Sequence, residues 1–222
     1  MHEKPRAVRI FLVEDHPVVR DSLKKLLNQE RDFQVCGDAD NAKSGLRQIV
    51  EDEPDIIILD ISLSASSGFD IIKNVRAKCS RSKILVFSMH DERLYAERCV
   101  RAGANGYVMK REPTERLLTA IREVLAGKTS LSEDMLARLA QKFISGRKLD
   151  QTMPHERLSD RELEIFNLLG AGLASRKIAR SLDINIKTVQ THCANIKEKL
   201  GLSTATELLR EATKWQDSSS AF

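Results

Sequence analysis

Asp55-Ile56-Ile57-Ile58-Leu59-Asp60 decides the fold of this chain: four apolar residues in an unbroken run, with an acid delivered to the carboxyl end. A strand buried on both faces of a parallel sheet reads as such a run, and ligands of open α/β sheets gather where those strands end. Val8-Arg9-Ile10-Phe11-Leu12-Val13 is a second run and ends in Glu14-Asp15, so three carboxylates converge on one sheet edge. That outlines a divalent-cation site. Oxygen-rich clusters suit Mg2+, which keeps several waters and binds through one or two carboxylates plus phosphate oxygens. Asp60 then qualifies both as a metal ligand and as a nucleophile toward phosphorus. Lys83-Ile84-Leu85-Val86-Phe87 ends in Ser88, and Asn105-Gly106-Tyr107-Val108-Met109 ends in Lys110. A hydroxyl and an ammonium therefore reach the same edge, where each can hold a phosphoryl oxygen. A single Asp after a strand is more often a helix cap; acid, acid, hydroxyl and amine on four strand ends argue for a site instead.

Outward from this stretch, short apolar runs alternate with amphipathic ones, which predicts β/α units around a parallel sheet. Five runs are placed at Val8–Val13, Phe33–Cys36, Ile56–Asp60, Ile84–Phe87 and Gly106–Met109. Helical stretches lie near Pro17–Asn28, Ala42–Glu51, Gly68–Ala77, Glu92–Ala102 and Glu115–Leu125. The expected architecture is an α/β doubly wound five-stranded parallel sheet over residues 1–127. Residues 128–157 read as a connecting helix, Ser132–Ile144, with apolar positions on helical spacing, then a polar linker beginning at Ser145. Which domain that helix packs on is left open. A small all-α domain occupies 158–216, and Asp217–Phe222 is expected to fray.

In the last domain Ser159 and Glu162 have capping-box spacing, with Leu158 and Leu163 placed as a hydrophobic staple. The first helix stops near Gly170 and Gly172, and Ser175 is positioned to cap a short second helix. Asn185 is a good cap for a third, Ile186–Leu200, ended by Gly201. On the third helix Ile186, Val189, Cys193, Ile196 and Leu200 form an apolar face. Lys187, Gln190, Thr191, Ala194 and Lys197 form the opposite one, small, amide-bearing and basic. Such a face fits a major groove, where amides and hydroxyls read base edges and lysines meet phosphates. Two helices joined by a short turn make a helix-turn-helix, and a solvated helix is the plainer alternative. A fourth helix is expected over Thr204–Trp215.

Composition sets bounds. At 222 residues with 41% apolar content, two compact units are expected. No apolar stretch approaches the ~20 residues of a membrane helix, and Met1–Arg9 is polar and charged, so no membrane association and a cytoplasmic location are expected. Cys36, Cys79, Cys99 and Cys193 lack paired or zinc-type spacing and read as thiols, and the dispersed histidines support no transition-metal site. The net charge is only +4, but Leu173–Leu200 concentrates six bases against two acids. That local stripe is where a phosphate backbone would be met.

Val13-Glu14-Asp15-His16, Asp60, Ser88-Met89-His90-Asp91 and Gly106-Tyr107-Val108-Met109-Lys110 make the first 127 residues resemble the receiver domain of bacterial response regulators, a flavodoxin-like fold. The resemblance implies that Asp60 accepts a phosphoryl group from a sensor histidine kinase. Glu14, Asp15, Asp60 and the Ser62 carbonyl would bind Mg2+, Lys110 would pair with the phosphoryl group, and Ser88 and Tyr107 would form an inward-moving switch. Ser64 stands where many receivers have proline, and the acidic pair is Glu14-Asp15 rather than two aspartates. Leu158–Trp215 resembles the LuxR-type DNA-binding domain through Leu158-Ser159-Asp160-Arg161-Glu162, Lys177-Ile178-Ala179, Thr188-Val189-Gln190-Thr191-His192 and Asn195–Gly201. By position Gln190, Thr191 and Ala194 are candidates for base contacts. Lys187, Thr188, His192, Asn195 and Lys199 would lie nearer the backbone or the domain core, with His192 better placed for packing; Lys187, Thr188, Lys197 and Lys199 complete the DNA-binding candidates. Lys177 departs from the glutamate frequent in that family.

Together these match the NarL/FixJ class of response regulators. The implied protein is a transcription factor on double-stranded DNA, not an enzyme, forming a homodimer when phosphorylated, with RNA polymerase a further candidate partner. One rival is a phosphatase of the haloacid-dehalogenase type, but its second acid, two residues after the nucleophile, is replaced here by Ser62. Another is a passive receiver that no kinase addresses, which the intact set Glu14, Asp15, Asp60, Ser88 and Lys110 argues against.

Overall fold

Uninterrupted apolar runs build a five-stranded parallel sheet from β1 (Val8–Val13), β2 (Phe33–Ala39), β3 (Ile56–Leu59), β4 (Lys83–Ser88) and β5 (Gly106–Met109). The computed structural model describes residues 6–63, 68–144 and 157–220, so Ser64 and nearly all of the polar linker lie outside the described residues. Two compact units divide the chain at 137/138.

The strand order is β2-β1-β3-β4-β5. Helices α1 (Pro17–Gln29), α2 (Ala42–Asp52), α3 (Gly68–Lys78), α4 (Glu92–Ala102) and α5 (Thr114–Leu125) alternate with the strands. Ile56 and Ile58 share a core cluster with Leu23 and Leu27 of α1 and Ile121 of α5, while Ile57 and Leu59 face the other way and are equally buried. Burial on both faces is why β3 carries no polar residue. Pairing aligns the carboxyl ends: Val13 with Leu59, Leu59 with Val86, and Ser88 with Met109. Sequence order reverses between β1 and β3, which makes their ends the topological switch point.

β2 is longer than its apolar run. Gly37, Asp38 and Ala39 stay extended because they pair with Phe11, Leu12 and Val13 beyond a register shift at Ile10/Phe11. A Cβ at Gly37 would stand 2.6 Å from the Phe11 ring, so only glycine fits there. Helix α6 (Glu133–Ile144) follows the receiver-like unit and crosses the division between units. Its first turn belongs to the first unit, where Met135 is buried and Ser132 N donates to Glu92 Oε1 at 2.8 Å.

The second unit holds α7 (Asp160–Gly170), α8 (Ser175–Ser181), α9 (Ile186–Leu200) and α10 (Ala205–Ser220). The capping box forms as spaced: Ser159 Oγ accepts from Glu162 N and Glu162 Oε2 accepts from Ser159 N at 2.7 Å. Asn185 Oδ1 caps α9 through Lys187 N at 2.9 Å, and Gly201 ends it at φ 68. Ser175 is not the cap of α8. Ala174 takes that position, its carbonyl accepting from Lys177 N and Ile178 N, and Ser175 becomes the first helical residue. α10 runs on to Ser220, past the expected stop at Trp215 and through part of the stretch expected to fray. Trp215 anchors it, with Nε1 donating to Asn167 Oδ1 at 2.9 Å and the ring tilted against Phe166.

Candidate functional site

Glu14, Asp15 and Asp60 leave the ends of β1 and β3 at the switch point, held by Glu14 N on Ala39 O and Asp60 N on Val13 O. Their carboxylate oxygens, with a nitrogen of His16, lie within 4.8 Å of one another. Lys110 reaches in from the end of β5. Its Nζ lies 2.6 Å from both Glu14 Oε2 and Asp60 Oδ2, and all three side chains are nearly sealed from water. Burial alone would lower the Lys110 pKa, but the adjoining charge and hydrogen bonds of Asp60, then those of Glu14, outweigh it and raise it. The lysine therefore stays cationic. It holds together acids whose mutual repulsion would otherwise be large.

Ser62 N donates to Asp60 Oδ1 at 2.8 Å, which fixes the carboxylate, and Ser62 Oγ is 3.3 Å from Ser88 Oγ. Ser88 is fully buried. His16 Nδ1 lies 2.8 Å from Asp15 Oδ1 and 3.1 Å from Glu14 Oε1, closing the outer side of the cluster. The donors are carboxylate oxygens, the hard ligands that suit Mg2+, so the residues present fit that ion. His16, directly after the acidic pair, thus makes loop contacts at the acid edge, and its nitrogen stands among the carboxylates.

Tyr107 is buried and points inward, its hydroxyl donating to the His90 carbonyl at 2.9 Å. Burial, then the neighbouring Cys99, raise the phenol pKa well above 10, so it remains a donor. His90 N donates to Ser88 Oγ at 3.3 Å and its ring stacks on Tyr95 of α4 at 4.5 Å. Burial lowers the imidazole pKa despite the opposing charge of Asp60. Ser88, His90 and Tyr107 thus form one connected group above Asp60.

On α9, Val189 and Ile196 are buried, and Ile186, Cys193 and Leu200 are half-buried. Lys187, Thr188, Gln190, Thr191 and Ala194 are exposed, Lys197 partly so. The apolar and polar faces therefore separate as the spacing predicts. Arg176, Lys177 and Arg180 on α8 are exposed as well. Lys199 is differently engaged: Nζ donates to Glu162 Oε2 at 2.6 Å, so its charge is directed at a buried carboxylate rather than held out beside Lys187. His192 is half-buried, in keeping with a packing role.

Residues 10–122 match the family described as the response regulator receiver domain, and residues 156–212 match the luxR family of bacterial regulatory proteins. The chain is a LuxR-family response regulator. The oxygen regulatory protein NreC of Staphylococcus aureus (strain JH9) is 34% identical over 211 residues, covering 93% of this response regulator and 97% of NreC. A two-component response regulator of the LuxR family from Aurantimonas sp. SI85-9A1 is 32% identical, with a TM-score of 0.58 over 62% of this chain and 99% of its own. RcsB from Salmonella enterica serovar Typhimurium, solved on promoter rprA with the phosphomimetic BeF3-, shares the fold at 23% identity and a TM-score of 0.65, covering 94% and 99% of the two chains. Such response regulators are transcription regulators rather than enzymes. Among the described residues no helix is long and apolar enough to cross a membrane.

The structure also gives this response regulator's Ser159-Asp160-Arg161-Glu162 stretch a second task. Arg161 Nη2 donates to the Leu182 carbonyl at the end of α8 (2.8 Å), and Nη1 reaches Glu164 (2.7 Å). Glu162 holds Lys199 near the end of α9. Burial would raise the Glu162 pKa, but Lys199 and the Ser159 backbone and hydroxyl donors lower it. One turn of α7 therefore fixes both helices of the helix-turn-helix. Capping-box spacing was readable in the sequence; these reaches of 21 and 37 residues were not.

Proposed function

We propose that Asp60 is the phosphoacceptor of this response regulator and that its phosphorylation by a sensor histidine kinase controls sequence-specific binding to double-stranded DNA. In that transfer an Asp60 carboxylate oxygen forms the new bond to phosphorus while the phosphorus–nitrogen bond of a phosphohistidine breaks, returning the electron pair to the imidazole. Lys110 supports this reading most directly: its ammonium sits 2.6 Å from Asp60, where charge on a phosphoryl group would be met. Glu14, Asp15, Asp60 and the Ser62 carbonyl are the residues that would hold Mg2+. When bound, that ion supplies charge neutralisation at the phosphoryl oxygens. Ser62 N orients the Asp60 carboxylate, and Ser88 and Tyr107 form the switch that senses the change.

On the DNA side Gln190, Thr191 and Ala194 are assigned to base edges, and Lys187, Thr188 and Lys197 to the backbone. Lys199 is assigned to positioning α9 through Glu162. RcsB, at 24% identity, is solved as two dimers bound to two parallel DNAs, and by analogy the phosphorylated protein acts as a homodimer on DNA. RNA polymerase is assigned as a further partner and the cytoplasm as the location. Residues 1–127 form the receiver, 128–157 the connector and 158–216 the DNA-binding domain.

Acetyl phosphate with Mg2+ should add one phosphoryl mass to Asp60 and none to an Asp60→Ala protein. Selection of bound duplexes from a random pool, with and without BeF3-, should yield a preferred sequence bound more tightly in the mimic's presence. No mass gain on an intact fold would refute the receiver assignment.

A further inference from the structure

The chain that follows α5 is built into the receiver. β5 is an edge strand, and its outer side is paired by the returning backbone: Ser130 N donates to Asn105 O at 3.1 Å and Tyr107 N donates to Ser130 O at 2.9 Å. Gly106 permits this approach, since a Cβ there would stand 2.7 Å from the Ser130 carbonyl. Two residues on, Ser132 N donates to Glu92 Oε1 at 2.8 Å. Ser132 also starts α6, its hydroxyl accepting from Met135 N and its carbonyl from Leu136 N. The stretch 130–132 that leads into α6 is thus tied on one side to the backbone of the switch residue Tyr107. On the other it is tied to a carboxylate on the first residue of α4.

Glu92 is 4% exposed. A carboxylate so placed satisfies a helix first turn, where it favours the dipole, and that alone would be a structural role. What sets it apart is the route that leads to it. Ser88 Oγ accepts from His90 N, the His90 carbonyl accepts from Tyr107, and the His90 ring stacks on Tyr95 of the same α4. These contacts connect Ser88 both to Tyr107 and to α4, the two groups that hold residues 130–132. A hydrogen bond donated to a buried carboxylate is costly to leave unmade, so its geometry is held in one arrangement or another. α6 in turn crosses the division between the two units.

We propose that Glu92 is a positioning residue that passes the state of Asp60 to α6 through the Ser132 amide. The proposal rests on the phosphoacceptor reading above. It commits to a two-state element, the first turn of α6, whose placement the α4 carboxylate biases.

The test uses the full chain as wild type, Glu92→Ala and Glu92→Gln, each with Mg2+ and with or without BeF3-, read by amide hydrogen exchange. In the wild type BeF3- should change protection at residues 130–137. Glu92→Ala should exchange about tenfold or more faster there in both states and lose the response, while α4 and β5 amides still respond. Glu92→Gln, which keeps an acceptor oxygen, should restore it. Should Glu92→Ala fail to fold, Ser132→Pro removes the donor instead and should show the same loss. A wild-type response at 130–137 that survives both Glu92→Ala and Ser132→Pro overturns the proposal, as does a wild type whose β5 amides respond while 130–137 do not. Acetyl phosphate labelling separates the two readings. No added mass on the wild type sinks the phosphoacceptor reading, whereas normal labelling of every variant with an unchanged exchange response sinks the role of Glu92 alone.

Discussion

Replacing Lys110 with methionine removes the cation that the acid cluster is built around. In the native protein its Nζ is 2.6 Å from both Glu14 and Asp60, with side-chain exposures of 8%, 3% and 1%. Without it, carboxylates with ligand atoms within 4.8 Å of one another remain. At an effective dielectric of ~20 two such charges repel by about 3.5 kcal/mol, and removing one partner of a buried pair generally costs ~3–5 kcal/mol. Lys110→Met should therefore lose ~3 kcal/mol or more of receiver stability in metal-free buffer near neutral pH. Both tyrosines, Tyr95 and Tyr107, lie in the receiver and the single tryptophan, Trp215, in the DNA-binding unit. Urea unfolding followed by tyrosine near-ultraviolet dichroism and by Trp215 fluorescence reads the two units separately, and only the first should shift. Mg2+ should recover part of the loss, by binding the folded state alone. Adding Asp60→Asn to Lys110→Met should recover stability too, because one of the stranded charges is gone. A single variant within ~0.5 kcal/mol of wild type, or a double variant no more stable than the single, would refute the electrostatic reasoning.

Other expectations are tied to particular contacts. The Glu162 pKa is lowered in the fold, so its contribution is present above its ordinary 4.5 and is lost as pH falls below that through the folded value. Glu162→Gln should cost ~1–2 kcal/mol at neutral pH, with the gap narrowing in acid, as measured by Trp215 fluorescence. A Cβ at Gly170 would collide with the Ala212 carbonyl, so Gly170→Ala should push α7 and α10 apart and cost ~1–3 kcal/mol in urea unfolding. Lys187→Ala should weaken binding to all duplexes alike and reduce the slope of log affinity against log salt by about 0.9, whereas Gln190→Ala should relax base preference and leave that slope unchanged.

Much of this protein is local and therefore written in the sequence. The run Ile56–Leu59 must be a strand buried on both faces, because no other element hides four consecutive apolar residues so cheaply, and the acid after it must then stand at a sheet edge. Asn185, Gly201 and the Ser159–Glu162 pair mark helix ends through bonds spanning a few residues. The separation of Gln190 and Thr191 from Val189 and Ile196 follows from a 3.6-residue period alone.

Tertiary structure decided what distance in sequence conceals. Pairing with β1 extended β2 through Gly37–Ala39, which carry no strand signal of their own, and Trp215 on Asn167 held α10 past its expected end. Lys199, one more base in a basic stretch by its letters, is drawn to Glu162 across 37 residues, and Glu92 meets Ser132 across 40. The physical reason is the same in each case. Propensity and periodicity report on neighbours along the chain, whereas the partner of a polar or charged group is whichever group the packed fold brings within hydrogen-bond reach.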